Sequence, residues 1–204
     1  MSEHPDMKSQ LVTLLTRFAI LTCLLIGLPR STGAIADQAP WKFDQSPLAP
    51  VYHIPLHVHL ANSSRALQEF IFVFREINHI WLSQAGIYFE IEAVWQEERL
   101  GNGLDMYFSP NIGELNGYYD GEVIQMSDRP RLRAASHSAM SAAGRTAAHE
   151  LGHALGLPHR QNSDDNLMRS KTMGWQLNAD EIEAAREAAR LFIIRLAADR
   201  RGPG

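Results

Sequence analysis

From residue 51 onward, apolar and polar positions sort the chain into blocks of different period. Residues 51–60, VYHIPLHVHL, alternate in part and are rich in β-branched side chains, which predicts a strand. Pro55 inside that block predicts an edge position or an irregular start. Leu67, Phe70, Ile71, Phe74, Ile77 and Trp81 then recur at helical spacing. They form one apolar stripe on a long helix, with Asn62 or Ser63 as its cap and Gly86 as its stop. Residues 87–95 return to a period of two. Ile87, Phe89, Ile91 and Ala93 share one side, and Tyr88, Glu90 and Glu92 the other, the pattern of a half-buried strand. Residues 96–117 show no period and carry Gly101, Gly103, Pro110 and Gly113, so they read as irregular. One or two short strands are expected about Gly121 within residues 118–127. Residues 129–144 read as a loop leading into a helix over about 141–155. A last helix begins at Asn178, with Glu181 three residues on, close to a capping box. Its stripe is Ile182, Ala185, Ala189, Phe192, Ile193 and Leu196. Strands and helices so mixed predict an α+β domain.

The first fifty residues follow different rules. Lys8 and Arg17 precede a short apolar run, FAILTCLLIGL, and Ala34-Ile35-Ala36 follows it. A positive flank, an apolar core too short for an ordinary spanning helix and an A-x-A site predict a secretory signal over residues 1–36, hence a secreted or periplasmic protein. An uncleaved anchor is the alternative, and only then is a membrane a partner. Residues 37–50, rich in proline and polar side chains, read as a linker or short pro-segment, leaving residues 51–204 as the domain. The single cysteine, Cys23, lies inside the apolar run as a filler. The mature chain then has no disulfide and stands on its core and any metal it holds. With 204 residues, 45% of them hydrophobic, that core is large enough. A formal net charge of -4 gives no signal for nucleic acid.

Candidate chemistry concentrates in residues 149–159, HELGHALGLPH. His149 and His153 are four apart, so on a helix both rings leave from nearly one face, one turn apart. Two imidazoles so placed can share one metal ion. Glu150 is rotated away from that face and suits a water beside the ion better than the ion itself. A third ligand further along the same helix would point the wrong way. Gly156 can take the left-handed conformation that ends the helix, Pro158 keeps it from resuming, and His159 can swing back as a third ligand. A fourth corner left to water separates a catalytic zinc site from a closed structural one.

HELGHALGLPH resembles the extended zinc signature of the metzincin metalloproteases, with His149, His153 and His159 at the ligand positions and Glu150 at that of the catalytic base. ALGLPH is most similar to matrixin-like members. The resemblance implies a metzincin-like zincin: a mixed twisted sheet, a long backing helix and an active-site helix above a small C-terminal helical subdomain. It implies a zinc-dependent endopeptidase with one catalytic Zn2+, in which Glu150 serves a zinc-activated water as general base. It further implies a methionine in a tight turn beneath the zinc, for which Met168 in Asn166-Leu167-Met168 fits and Met173 is the rival. A peptide or protein substrate would add as a strand beside the sheet edge at residues 118–123, making Tyr118 and Tyr119 the candidate binding residues. Residues 168–175 would wall the pocket beyond the scissile bond. Two features depart from the better-known subfamilies: Arg160 follows the third histidine, and Ser170 stands where some have a tyrosine ligand.

Other residues suggest weaker sites. His57 and His59 share one strand face, which suits a second metal or, more simply, two exposed histidines. Asp120, Asp128, Asp164 and Asp165 could take calcium, but their spacing does not compel it. Arg129, Arg131 and Arg133, near Arg145, read as a solvated basic loop. The competing functions are a zinc-binding recognition module on the same scaffold that does not cleave, and a zinc hydrolase of a non-protein amide.

Overall fold

Extended and helical blocks assemble much as their periods require. The structure is a computed structural model that describes residues 48–130, 141–171 and 174–200. All of these lie in one compact unit, 43–204. The signal segment, Cys23, most of the linker, Arg131, Arg133 and Met173 lie outside the described residues.

Among the described residues five strands and three helices follow in order: β1 (Tyr52–His59), α1 (Leu67–Ala85), β2 (Ile87–Val94), β3 (Leu104–Ser109), β4 (Gly117–Tyr119), β5 (Val123–Ser127), α2 (Ala142–Ala154) and α3 (Ala179–Asp199). They form an α+β domain around one mixed sheet of order β2-β1-β3-β5-β4, parallel except for β4. Ile54, Leu56, Val58, Phe89, Met106, Phe108, Ile124 and Met126 are buried in one core with Phe70, Ile77, Trp81, Ala147 and Leu151 of the helices. No helix among the described residues is long and apolar enough to cross a membrane.

Several expectations are corrected. Strand β1 is not at an edge, since β2 and β3 flank it. Pro55 is tolerated because β3 joins only from the Leu56↔Leu104 pair onward, so the missing N–H falls where that ladder has not begun. The stretch taken as irregular contains β3, whose Leu104, Met106 and Phe108 are buried. Asp105, on the other side of the alternation, is 1% exposed as well and accepts from His59 at 2.7 Å. On α1, Ile71 is exposed while Val73, Glu76 and Ile80 face inward. The cap of α1 is neither Asn62 nor Ser63. The helix starts after Ala66, whose N–H donates to Glu69 at 3.0 Å. At the other end Gly86, at φ 61°, closes it as expected, with Leu48 carbonyl lying where a Cβ would go. The capping box of Asn178 and Glu181 on α3 is present.

The weaker sites resolve into structural roles. His57 and His59 are buried, not exposed. Asp120 accepts from the N–H groups of Glu122 and Val123 in the β4–β5 turn. Asp128 accepts from the N–H and hydroxyl of Ser64, Asp164 pairs with Arg169, and the Asp165 carbonyl accepts from Trp175 and Gln176. Arg145 is buried rather than part of a solvated loop.

Candidate active site

Three hydrogen bonds and one close glycine contact place α2 on α1. Ser141 caps α2, its hydroxyl accepting from Gly144 N–H at 3.0 Å. Glu76, from the buried side of α1, accepts from Ser141 N–H at 2.8 Å and from its hydroxyl. One turn further along α1, Trp81 Nε1 donates to Ala148 carbonyl at 3.2 Å. A Cβ on Gly144 would overlap Glu76, and one on Gly152 would lie 2.4 Å from Met168 Sδ. Glycines eight residues apart on α2 therefore let Glu76 and Met168 come close. Burial pushes the Glu76 carboxyl up, while the Ser141 hydrogen bonds and the Arg145 charge pull it down.

Past Ala154 the helix stops. Gly156 sits at φ 80°, its N–H donating to His153 carbonyl, while Leu157 N–H reaches back to Gly152 carbonyl. The turn returns His159 over the helix face. The three Nε2 atoms then converge: His149–His153 3.0 Å, His153–His159 3.2 Å and His149–His159 3.3 Å. Three ligands at 2.0–2.1 Å from a tetrahedral zinc lie about 3.3 Å from one another. The triad therefore fits such an ion, and among the described residues it is the one group of three potential ligands so gathered. Backbone carbonyls select the tautomer. His149 Nδ1 donates to Leu167 carbonyl at 2.7 Å and His153 Nδ1 to Leu157 carbonyl at 2.8 Å, which makes Nε2 the unprotonated nitrogen of both neutral rings. Burial presses the His149 ring down to about 4, opposed by its bond to Leu167 carbonyl and assisted by the neighbouring rings. His153 is lowered too, chiefly by burial. Exposure rises from buried His149 through His153 to exposed His159, so the centre opens on one side.

Glu150 is buried on the flank of the triad. Burial pushes its carboxyl up to about 7, against the Tyr119 backbone N–H that pulls it down. Edge strand β4 meets α2 here, and a Cβ on Gly117 would lie 3.0 Å from Glu150 Cγ and Thr146 Cγ2. Of the two candidate tyrosines, Tyr119 meets Glu150 through its backbone, while its hydroxyl donates to Gly121 carbonyl in the turn. Tyr118 lines a groove of about 640 Å³ with Tyr107, Gln125 and Asn111, among others. Met168 is fully buried against Gly152. Trp175 is half-buried against the core, and its carbonyl accepts from Gln84.

Sequence reasoning missed Glu76, Gly117, Gly152 and the tie from Asn166 to Glu181. Glu76 left a trace, a charge between the buried positions Val73 and Ile80. The others needed the partner element to be in place.

No family model matches the chain, and no curated protein does. Among solved structures it is similar to mirolysin in complex with compound 9, with TM-score 0.47 and 14% identity over 72% of this chain and 97% of that one. It is similar also to mature mirolysin of Tannerella forsythia in complex with a cleaved peptide, with TM-score 0.47 and 14% identity over 74% and 98%. The reading of the site rests on its own residues.

Proposed function

We propose that this chain is an exported zinc-dependent endopeptidase, a metzincin of matrixin-like character. The observation that carries it is the convergence of three imidazole Nε2 atoms within 3.3 Å of one another, beside the buried carboxyl of Glu150. His149, His153 and His159 would hold the ion. Zinc bound there supplies a Lewis acid that polarises a carbonyl and lowers the pKa of a water toward about 7.

Glu150 is the general base. A carboxyl brought to about 7 can take a proton from an attacking water near neutrality and return it to the departing amine. The Tyr119 N–H orients that carboxyl and ties the base to the sheet edge. Among the described residues β4 is an edge strand paired with β5, and an extended peptide would add along its other side, where Tyr119 N–H meets Glu150. Met168, packed on Gly152, supports the helix under the triad. Residues 1–36 are the export signal in this reading, and residues 37–50 a linker or short pro-segment.

The second reading, a zinc-holding module that binds protein without cutting it, shares the triad but has no use for a buried base. Digestion of casein and a peptide library tests both. Cleavage that a chelator abolishes and added zinc restores is expected. Zinc-loaded, folded protein that cuts neither substrate overturns the enzyme and leaves the module.

A further inference from the structure

Beneath the triad, the tight turn Asn166-Leu167-Met168 is fastened from two sides. Leu167 carbonyl accepts from His149 Nδ1 at 2.7 Å, and Met168 carbonyl accepts at 2.8 Å from the N–H of Arg160, the residue after His159. The turn thus touches the segments carrying two of the three histidines. What holds the turn itself is Asn166, 5% exposed. Its Oδ1 accepts from Met168 N–H at 2.7 Å. Its Nδ2 donates to both oxygens of Glu181, at 3.1 and 2.8 Å. Glu181 is 1% exposed and sits in the first turn of α3, where the same carboxylate also accepts from Asn178 N–H at 2.9 Å. Arg160 Nε lies 3.9 Å away. The amide of Asn166 can face only one way: a carboxylate demands the donor, and a backbone N–H demands the acceptor.

We infer that Glu181 and Asn166 are positioning residues for the metal centre, a relay through which the C-terminal helix holds the acceptor that orients His149 and the segment that carries His159. This rests on reading the three histidines as a metal centre. It adds that α3 belongs to the centre's outer support rather than only closing the core. A buried carboxylate capping its own helix needs one oxygen for that task. Here the second oxygen, and part of the first, go to a turn fifteen residues upstream. Partners one step beyond the ligands orient the imidazoles, and losing one weakens metal binding about 10- to 100-fold.

The pair lends itself to a charge-swap test. In E181Q an amide donor can face the Asn166 amide donor. In N166D two carboxylates oppose each other at hydrogen-bond distance. In N166D/E181Q the introduced amide can donate to the introduced carboxylate, while Met168 N–H and Asn178 N–H keep their acceptors. Zinc and cobalt affinity is measured by competition with a chromophoric chelator, along with the visible bands of the cobalt protein and thermal unfolding of the metal-free chain. Each single variant is expected to lose about 10- to 100-fold in affinity and to shift the cobalt bands. The double variant should return to within about threefold of the parent. I182A, on the same helix, should lower stability and leave both metal readouts unchanged. Single variants with parental affinity, or a double variant no better than the worse single, overturn the relay. Where a single variant does not fold, recovery of fold and affinity together in the double supports it, and no recovery overturns it. A parent protein that takes up no metal fails earlier, and removes the centre along with the relay.

Discussion

Two histidine clusters in this molecule start from similar sequence and end in opposite roles. His149, His153 and His159 each aim Nε2 at a common point, and carbonyls occupy Nδ1 on His149 and His153. His57 and His59, on one face of β1, surround a carboxylate instead. His59 has both nitrogens engaged, Nδ1 with Gln96 carbonyl at 2.8 Å and Nε2 with Asp105 at 2.7 Å, and its ring stacks on Tyr107 at 4.0 Å. His57 Nδ1 lies 3.6 Å from the same Asp105 oxygen. Burial alone therefore does not make a ligand set, since both groups contain nearly enclosed rings. What differs is which nitrogen is spent on an oxygen acceptor and whether the remaining lone pairs converge.

The largest expected effect breaks the first cluster. Replacing His149, His153 or His159 by alanine should abolish stoichiometric zinc, read as metal content after gel filtration, whereas H59A should retain it. A zinc-free H59A would erase the distinction between the clusters. Next, E150Q should keep zinc and lower peptide cleavage by about 10³-fold, within the usual range for removing a general base. Unchanged turnover would remove Glu150 from the chemistry. The second cluster should register in stability instead. D105A leaves His57 and His59 buried without their carboxylate and should cost about 3 kcal/mol in denaturant unfolding, with metal affinity unaltered.

A smaller, pH-dependent effect separates Glu150 from His149 in the metal-free protein. Burial raises the Glu150 carboxyl from 4.5 to about 7, so the folded state binds the proton more tightly. That contribution is present at acid pH and is lost as pH rises through 7. Burial lowers His149 from 6.5 to about 4, so its contribution is present above 6.5 and is lost as pH falls toward 4. The two slopes oppose each other. E150Q removes one of them. The metal-free variant should gain about 2–3 kcal/mol over the parent at pH 8 and almost nothing at pH 4. Urea unfolding in chelator across that range would show a gap that widens with pH; a constant gap would mean that Glu150 does not titrate as its burial requires.

Much of this architecture was readable before any tertiary contact was considered. The apolar stripe of α1, the alternation of β2, the Gly86 stop and the Asn178–Glu181 cap are local patterns, and each forms where its period or capping chemistry places it. The triad was readable for the same reason. Helical spacing aligns His149 with His153, and a glycine with positive φ brings back His159, all within eleven residues. Strand β3 does alternate, Leu104, Met106 and Phe108 against Asp105, Tyr107 and Ser109, but it is short and lies between Gly103 and Pro110; that Asp105 is buried as well depends on the histidines of a distant strand. Ile71 and Glu76 exchanged their expected sides because the partner of α1 is the Ser141 end of α2, which needs an acceptor as well as apolar surface.

The chain by itself thus determined its periodic elements and the identity and spacing of the ligands, because those depend on geometry repeated over a few residues. Only the tertiary structure decided which ring nitrogens face the common point, how far burial moved Glu150, and which helix lies against the turn at Met168. Hydrogen-bond partners and desolvation come from groups that may be a hundred residues apart in sequence, and a polar atom's role is set by whichever group the fold places beside it.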